Sequence, residues 1–442
     1  MNIGFGKFGK SIKFNYKTWS LHGGDAAPSI LLSALSQKFP EDTFYVLGRS
    51  DLDKLDGYTF NEYFPNKNVI NVWEDYKSMC SDTFVEKTGN IKDITFLDKW
   101  LTEKNIELDV CLFFSGPATN MSIPGVFNKL NPDKTVSEDP YIILAMGANY
   151  CAPLNYLLNA RKNLPYINIC EDPRYFPLMA QDLFRRADKT LGQYRTKRTK
   201  FHFTDYQHNH TKSEEEVTYA MTETIFAIGD KPYDVDELFA KKTGKDQQLM
   251  NVYMNQGLGT GGLDRGPIVE EWIFGIDDVK IHGKWAEPWA SMPNFTATAM
   301  QDLIPEMEHT KYTLVIPIKK SWVTSKFWKM LHFGILPFMH PMYDTQHNIP
   351  VNDFLRVETP EELKQKITLL ENDPVLYKKI FYETMNMLSE TIYTGKTLIT
   401  NIYEAIYEVT GKSNFVFPTN EIKIPVNSFV SNKINTQHKP LF

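Results

Sequence analysis

The chain is 442 residues long, which at roughly 100–200 residues per domain points to two domains. Its composition is 42% hydrophobic, 13% aromatic and 23% charged, which excludes wholesale disorder, and no apolar run reaches the roughly 18–20 residues of a membrane span. The net charge of −6 weighs against a dedicated non-specific nucleic-acid binder.

In chain order, the first third alternates strand-like and helix-like runs. TFYVLGR (43–49) and DVCLFFSG (109–116) are short, apolar and end near glycine, and a helical pattern through Ile30, Leu31, Leu32 and Leu35 intervenes. Asn149 to Lys162 reads as a helix with an early Pro153, and PYINICEDP (165–173) reads as a buried strand ending in acids. Such alternation predicts a mainly parallel sheet covered by helices, with ligands beyond the carboxyl ends of the strands. The stretch 204–216 (TDYQHNHTKSEEE) is polar and is the best linker candidate. A second alternation follows: TIFAIG, LMNVYMNQG, DDVKIHG and YTLVIPI are predicted strands. Residues 360–391 are helical with one proline break, and a last helix is predicted from Leu398 to Val409.

The four cysteines, Cys80, Cys111, Cys151 and Cys170, form no CxxC pair, and MNIGFGKFGKSIK has no continuous apolar leader; a soluble, cytoplasmic, reduced protein is expected. Gly4-Phe-Gly-Lys-Phe-Gly9 matches GxGxxG, but only three residues precede it and no good helix follows, so a dinucleotide site is not expected there. His22-Gly-Gly-Asp25 stands just before a helix, either as a sugar or anion contact or as a plain helix start capped by Asp25. Asn255-QGLGTGGLDRG-Pro267 lies between a strand and a helix and suits a diphosphate cradle: backbone amides, a helix dipole and Arg265. A flexible connector is the alternative. Asp172, at a strand end before proline, could act as a general base or as a turn residue. His340, Asp344 and His347 are close in sequence, but Pro341 breaks any helical ligand face, so no metal site is expected. From Arg185 to Lys200 seven basic residues stand against one Asp, followed by aromatics; the run suits either phosphates and stacked bases or a solvated interdomain loop.

Four of these blocks, in this order, resemble the bacteriophage DNA β-glucosyltransferase family, GT-B enzymes that add sugar to hydroxymethylcytosine. They are FNYKTWSLHGGD, NICEDPRYFP, GLGTGGLDR with VEEWIF, and KFWKMLHFGILPFMHPMYDTQHNI with the helices after it. The resemblance covers about a third of the chain. It implies an α/β GT-B fold, two Rossmann-like domains facing across a cleft. The domains would be residues 1–215 on the acceptor side, 216–395 for the nucleotide sugar, and 396–442 as a helix and tail packing back on the N-terminal domain.

It also implies an inverting transfer from a UDP-sugar to the hydroxyl of hydroxymethylcytosine or hydroxymethyluracil in duplex DNA. In that reading Asp172 is the base and Asp25 orients a sugar hydroxyl. Gly257, Gly259, Gly261, Gly262, Arg265, Lys326 and Lys329 hold the donor, and Arg185, Arg186, Arg195, Lys197, Arg198 and Lys200 hold DNA. A divalent cation is compatible with the donor but not written in the residues, and no membrane partner is implied. The sequence departs from the family at three places. Its first loop arginine falls at about Gly261, its ribose-holding glutamate on Lys329, and an arginine of the same helix on Lys326. A lysine cannot accept from ribose hydroxyls, so the donor contacts must differ. A GT-B enzyme acting on a small molecule, lipid or surface glycan, and a non-catalytic nucleotide- or DNA-binding protein on the same scaffold, remain the alternatives.

Overall fold

Gly4 and Gly6 of the N-terminal glycine run lie inside a strand, β1 (Asn2–Lys7). A Cβ on Gly4 would sit 2.8 Å from Leu47 Cδ1 and 2.9 Å from Cys111 Sγ, so close packing of the neighbouring segments, not a phosphate turn, accounts for that glycine. The computed structural model describes residues 1–7, 27–48, 64–72, 75, 95–115, 152–170, 176–177, 187–192, 199–204, 211–217, 234–244, 247–256, 264–296, 303–317, 327, 330–331, 333–345, 347, 349, 351–387 and 396–419. The chain divides into two units, Met1–Asp230 with Gly395–Phe442, and Lys231–Thr394.

In the first unit β1 is followed by α1 (Ala27–Lys38), β2 (Thr43–Val46), β3 (Val69–Asn71), α2 (Phe96–Glu103), β4 (Val110–Ser115), α3 (Ala152–Ala160) and β5 (Tyr166–Cys170). Then come β6 (Phe176–Pro177), β7 (Lys189–Gly192), β8 (Thr199–Thr204) and β9 (Thr211–Val217). The main sheet has the order β3-β2-β1-β4-β5-β7 and every neighbouring pair is parallel. This is a doubly wound sheet whose strand order reverses between β1 and β4. Val110 to Phe114 are all buried, as expected of a strand covered on both faces. On α2, Phe96, Leu97, Trp100 and Leu101 form one apolar stripe against Leu154, Leu157 and Leu158 of α3.

Two sequence expectations change here. The basic run 185–200 is not one loop, because β7 takes Lys189 to Gly192 into the sheet and β8 begins at Thr199. Nor is 204–216 a linker: β9 occupies Thr211–Val217 and pairs antiparallel with β8. In that ladder Lys200 is in register with Glu216 and His202 with Glu214. The expected domain boundary at 215/216 therefore falls inside a strand; the units divide at 230/231 and 394/395 instead.

The second unit runs α4 (Val235–Lys242), β10 (Gln248–Tyr253), α5 (Gly266–Ile273), β11 (Lys280–His282), β12 (Phe295–Thr296), α6 (Ile304–His309), β13 (Thr310–Val315) and β14 (Leu336–Met339). It closes with α7 (Pro360–Asn372) and α8 (Pro374–Met387). Thr359 caps α7, accepting from the Glu362 amide at 3.1 Å. The Asp373 carboxylate takes the Val375 and Leu376 amides at 3.0 and 2.9 Å, which ends one helix and starts the next. The sheet order is β12-β11-β10-β13-β14, again all parallel, with its reversal between β10 and β13.

The chain then returns to the first unit with α9 (Lys396–Val409). Its Tyr403 hydroxyl donates to Asp42 at 2.9 Å, and Lys189 of β7 pairs with Glu408. Among the described residues no helix is long and apolar enough to cross a membrane.

Candidate functional site

In a doubly wound sheet the ligand crevice opens beyond the carboxyl ends of the two strands that flank the reversal. In the second unit those strands are β10 and β13. The sequence-derived glycine loop leaves the end of β10, so the motif and the topology agree on the place.

A hydrogen-bonded neck joins Gln256 and Arg265, which stand on either side of the glycine segment in the chain; residues 257–263 lie outside the described residues. The Arg265 amide donates to the Gln256 carbonyl at 3.2 Å. Gln256 is only 2% exposed and has both ends of its amide occupied. Its Nε2 donates to Asp264 Oδ1 at 3.0 Å, and its Oε1 accepts from the Ala286 amide at 2.9 Å. Asp264 Oδ1 also accepts from the Gly266 amide at 3.0 Å, a local turn that leads into α5. On the other side Asn255 Oδ1 accepts from the Lys284 amide at 2.8 Å, and Trp285 Nε1 donates to the Met254 carbonyl at 3.1 Å. Both strands that lead into the crevice from this side, β10 and β11, are thus tied to the neck.

Arg265 sits at its base, 6% exposed. Its Nη1 donates to the Asn255 carbonyl at 2.8 Å and its Nε to the Pro317 carbonyl at 3.2 Å. Asn255 follows β10 and Pro317 follows β13, so one guanidinium spans the reversal point. Burial brings its pKa down to about 10, partly offset by the neighbouring Tyr343 hydroxyl; it stays charged at neutral pH.

Beneath the neck lies a polar cluster on one face of the sheet. The Tyr253 and Thr310 hydroxyls are 2.8 Å apart, Asn251 Nδ2 donates to Thr310 Oγ1 at 3.1 Å, and the His282 ring stacks on Tyr253. His282 Nε2 lies 3.3 Å from Glu306 Oε2. Burial holds this histidine below its ordinary pKa, against the pull of Glu306, and pushes Tyr253 up to about 12.

The HPMYDTQH segment is structural. His340 Nδ1 accepts from the Met342 amide at 3.2 Å and its ring packs on Trp272 of α5. Asp344 pairs with Arg356 at 3.1 Å and accepts from the Ile349 amide at 2.8 Å. Among the described residues no group of three or more His, Cys, Asp or Glu could hold a metal ion.

Of the residues singled out from sequence, Arg265 is described fully and Lys200 as a position in β8. Asp25, Asp172, Gly257, Gly259, Gly261, Gly262, Lys326, Lys329, Arg185, Arg186, Arg195, Lys197 and Arg198 lie outside the described residues. Two of them can be placed by what adjoins them: β5 ends at Cys170, two residues before Asp172, and α1 begins at Ala27, two after Asp25. Gln256, Asp264 and the Pro317 carbonyl were not singled out. Asp264 just ahead of a Gly-Pro helix start carried a capping signal; a backbone carbonyl brought over from a distant strand carries none.

No family model matches the sequence, and no curated protein matches it. Solved structures do. A glycosyltransferase from Rickettsia africae aligns over 93% of this chain and 100% of its own, with a TM-score of 0.50 at 10% identity. The fold is that of the GT-B glycosyltransferases. T4 phage BGT in complex with its UDP-glucose substrate aligns over 93% of this chain and 99% of its own, at 13% identity and a TM-score of 0.45. An α,α-trehalose-phosphate synthase (UDP-forming) from Burkholderia vietnamiensis aligns over 92% and 99%, at 9% identity and a TM-score of 0.42.

Proposed function

We propose that the chain is an inverting glycosyltransferase that moves a sugar from a UDP-sugar to the hydroxyl of a hydroxymethylated base, hydroxymethylcytosine or hydroxymethyluracil, in duplex DNA. The observation that supports the donor half is the hydrogen-bonded pair Gln256 and Arg265, which flanks the glycine segment between β10 and α5 at the β10/β13 reversal. The acceptor half rests on the order of the sequence blocks that resemble the DNA β-glucosyltransferases.

In this reading Asp172, just past the carboxyl end of β5, takes the proton of the hydroxymethyl group as its oxygen attacks the anomeric carbon. The bond to the diphosphate breaks in the same step, and inversion needs no covalent intermediate. The departing charge falls to the amides of Gly257 to Gly262 and to Lys326 and Lys329, with the Arg265 charge beneath them. Asp25 orients a sugar hydroxyl. A base must leave the stack to be modified, and Arg185, Arg186, Arg195, Lys197 and Arg198 hold the flanking phosphates. Lys200, which lies in β8 opposite Glu216, belongs to the same set. The domains of this reading are the two units with the C-terminal helix and tail assigned to the first.

A second reading, a small-molecule, lipid or glycan acceptor on the same donor site, is favoured by one observation: β9 sets an acidic run opposite the end of the basic one. The deciding experiment incubates the protein with duplex DNA containing either modified base and a panel of UDP-sugars, then weighs the digested nucleosides. A gain of one sugar with one donor supports transfer to DNA, and Asp172→Asn should abolish it. Donor turnover without a gain in DNA mass, unaffected by charge reversal of Arg195, Lys197 and Arg198, moves the acceptor elsewhere. Retention of full transfer by Asp172→Asn removes the base assignment.

A further inference from the structure

We infer that Arg265 is a positioning residue for the nucleotide: its guanidinium works as a cross-brace between the residues that follow β10 and β13, setting the separation of those two strand ends, rather than as a ligand of the diphosphate. The inference rests on the donor reading above.

Three observations carry it. The side chain is 6% exposed, lying beneath the loop neck. Two of its N–H groups are spent on carbonyls from the two strands flanking the reversal, at 2.8 and 3.2 Å. Its own amide closes the neck through the Gln256 carbonyl, while the side chain of Asp264, the preceding residue, joins Gln256 to the start of α5. A guanidinium that swung away toward a phosphate would take these donors from the Pro317 and Asn255 carbonyls, which lie past the last paired residues of the β10/β13 ladder. The planar fork suits a bridge, because its donors diverge at fixed angles, whereas a lysine offers one compact charge that cannot reach both carbonyls with the same geometry. The brace therefore acts through the backbone that shapes the site, on every part of the nucleotide alike.

That distinction sets the test. Binding of UDP and of uridine is measured on the whole protein for the wild type, Arg265→Gln and Arg265→Lys, well below each protein's unfolding temperature. A brace predicts that both variants weaken UDP and uridine by the same factor, about tenfold or more for a displaced site, so that the ratio of the two affinities stays at its wild-type value. A merely structural arginine would lower the melting temperature and leave both affinities of the folded protein unchanged, which overturns the inference. Loss of UDP binding with uridine binding intact, largely restored in Arg265→Lys, marks a direct phosphate contact and overturns it as well. Should Arg265→Gln fail to fold, Arg265→Lys alone decides between the same outcomes. A wild type that binds neither ligand removes the donor reading itself, and the inference with it.

Discussion

The Tyr403 hydroxyl donates to Asp42 Oδ2 at 2.9 Å across 361 residues of sequence, while the chain's own N-terminal ammonium holds Asp42 Oδ1 at 2.6 Å. One buried carboxylate thus ties the start of β1 and the returning helix α9 to the turn before β2. The Tyr403 ring also stacks on Phe39, and burial beside Asp42 raises the hydroxyl's pKa well above its ordinary value.

Tyr403→Phe keeps the stacking and removes the donor, leaving a buried carboxylate oxygen short of a partner. The expected loss is about 1–3 kcal/mol, read as a lower unfolding temperature in a thermal melt. The raised pKa means that this contribution is complete below the unfolded tyrosine's value and fades as pH rises above it. The difference between wild type and variant should therefore shrink in strongly alkaline buffer. An unchanged melt at neutral pH would remove the role given to this contact.

The Asp344–Arg356 pair is almost completely buried, and Arg356 Nη2 also donates to the Ile349 carbonyl at 2.8 Å. Neutralising Asp344 leaves the buried Arg356 charge with only the exposed Asp353 at 3.4 Å, so Asp344→Asn should cost about 3 kcal/mol. Replacing both with apolar residues of similar size should cost much less. A double-mutant cycle by urea unfolding checks this; additive effects would show that the two side chains do not interact.

Gly266 opens α5 directly against Trp289. A Cβ there would lie inside the van der Waals envelope of the indole ring, whose Nε1 donates to Glu270 at 3.2 Å. Gly266→Ala must move the tryptophan or the start of the helix, at a cost of about 1–3 kcal/mol. Because that helix start is one side of the loop neck, UDP binding should weaken too. Tryptophan fluorescence and calorimetric titration read the two effects separately, and a variant with both unchanged would show that the contact is not tight.

His340 is held neutral by burial, its pKa brought from the ordinary 6.5 to about 4. A base with a depressed pKa supports the fold above its unfolded value, and that support is lost as pH falls from 6.5 toward 4. The ring signals of His340 in an NMR titration should stay in the neutral form until pH approaches 4. His340→Gln should flatten the loss of stability over that window. A midpoint near the ordinary value would show that the ring is open to water.

The strands were legible because parallel strands buried on both faces announce themselves as short apolar runs: TFYV, VCLFF, YINIC, QLMNVY and TKYTLV all became strands. The strand and the helix on either side of the glycine segment were legible because an apolar β-prone run precedes it and a Gly-Pro helix start follows it, while the segment 257–263 itself lies outside the described residues. The hairpin β8–β9 was not, since KSEEE reads as a solvated segment until Lys200 and His202 stand across from it. A ladder partner supplies what local propensity lacks.

By itself, then, the sequence determined the two alternations of strand and helix, the break at Pro374 between the two long helices, and the place of the glycine segment between β10 and α5. These are properties of neighbouring residues, set by backbone preference and apolar periodicity. The order of strands in each sheet, the return of α9 to the first unit and the orientation of Arg265 were decided by tertiary structure alone. Each depends on groups far apart in the chain: Tyr403 with Asp42, Arg265 with Pro317. A guanidinium written in the sequence carries its charge but not its partners, and only the folded crevice shows two strand-end carbonyls where a phosphate was expected.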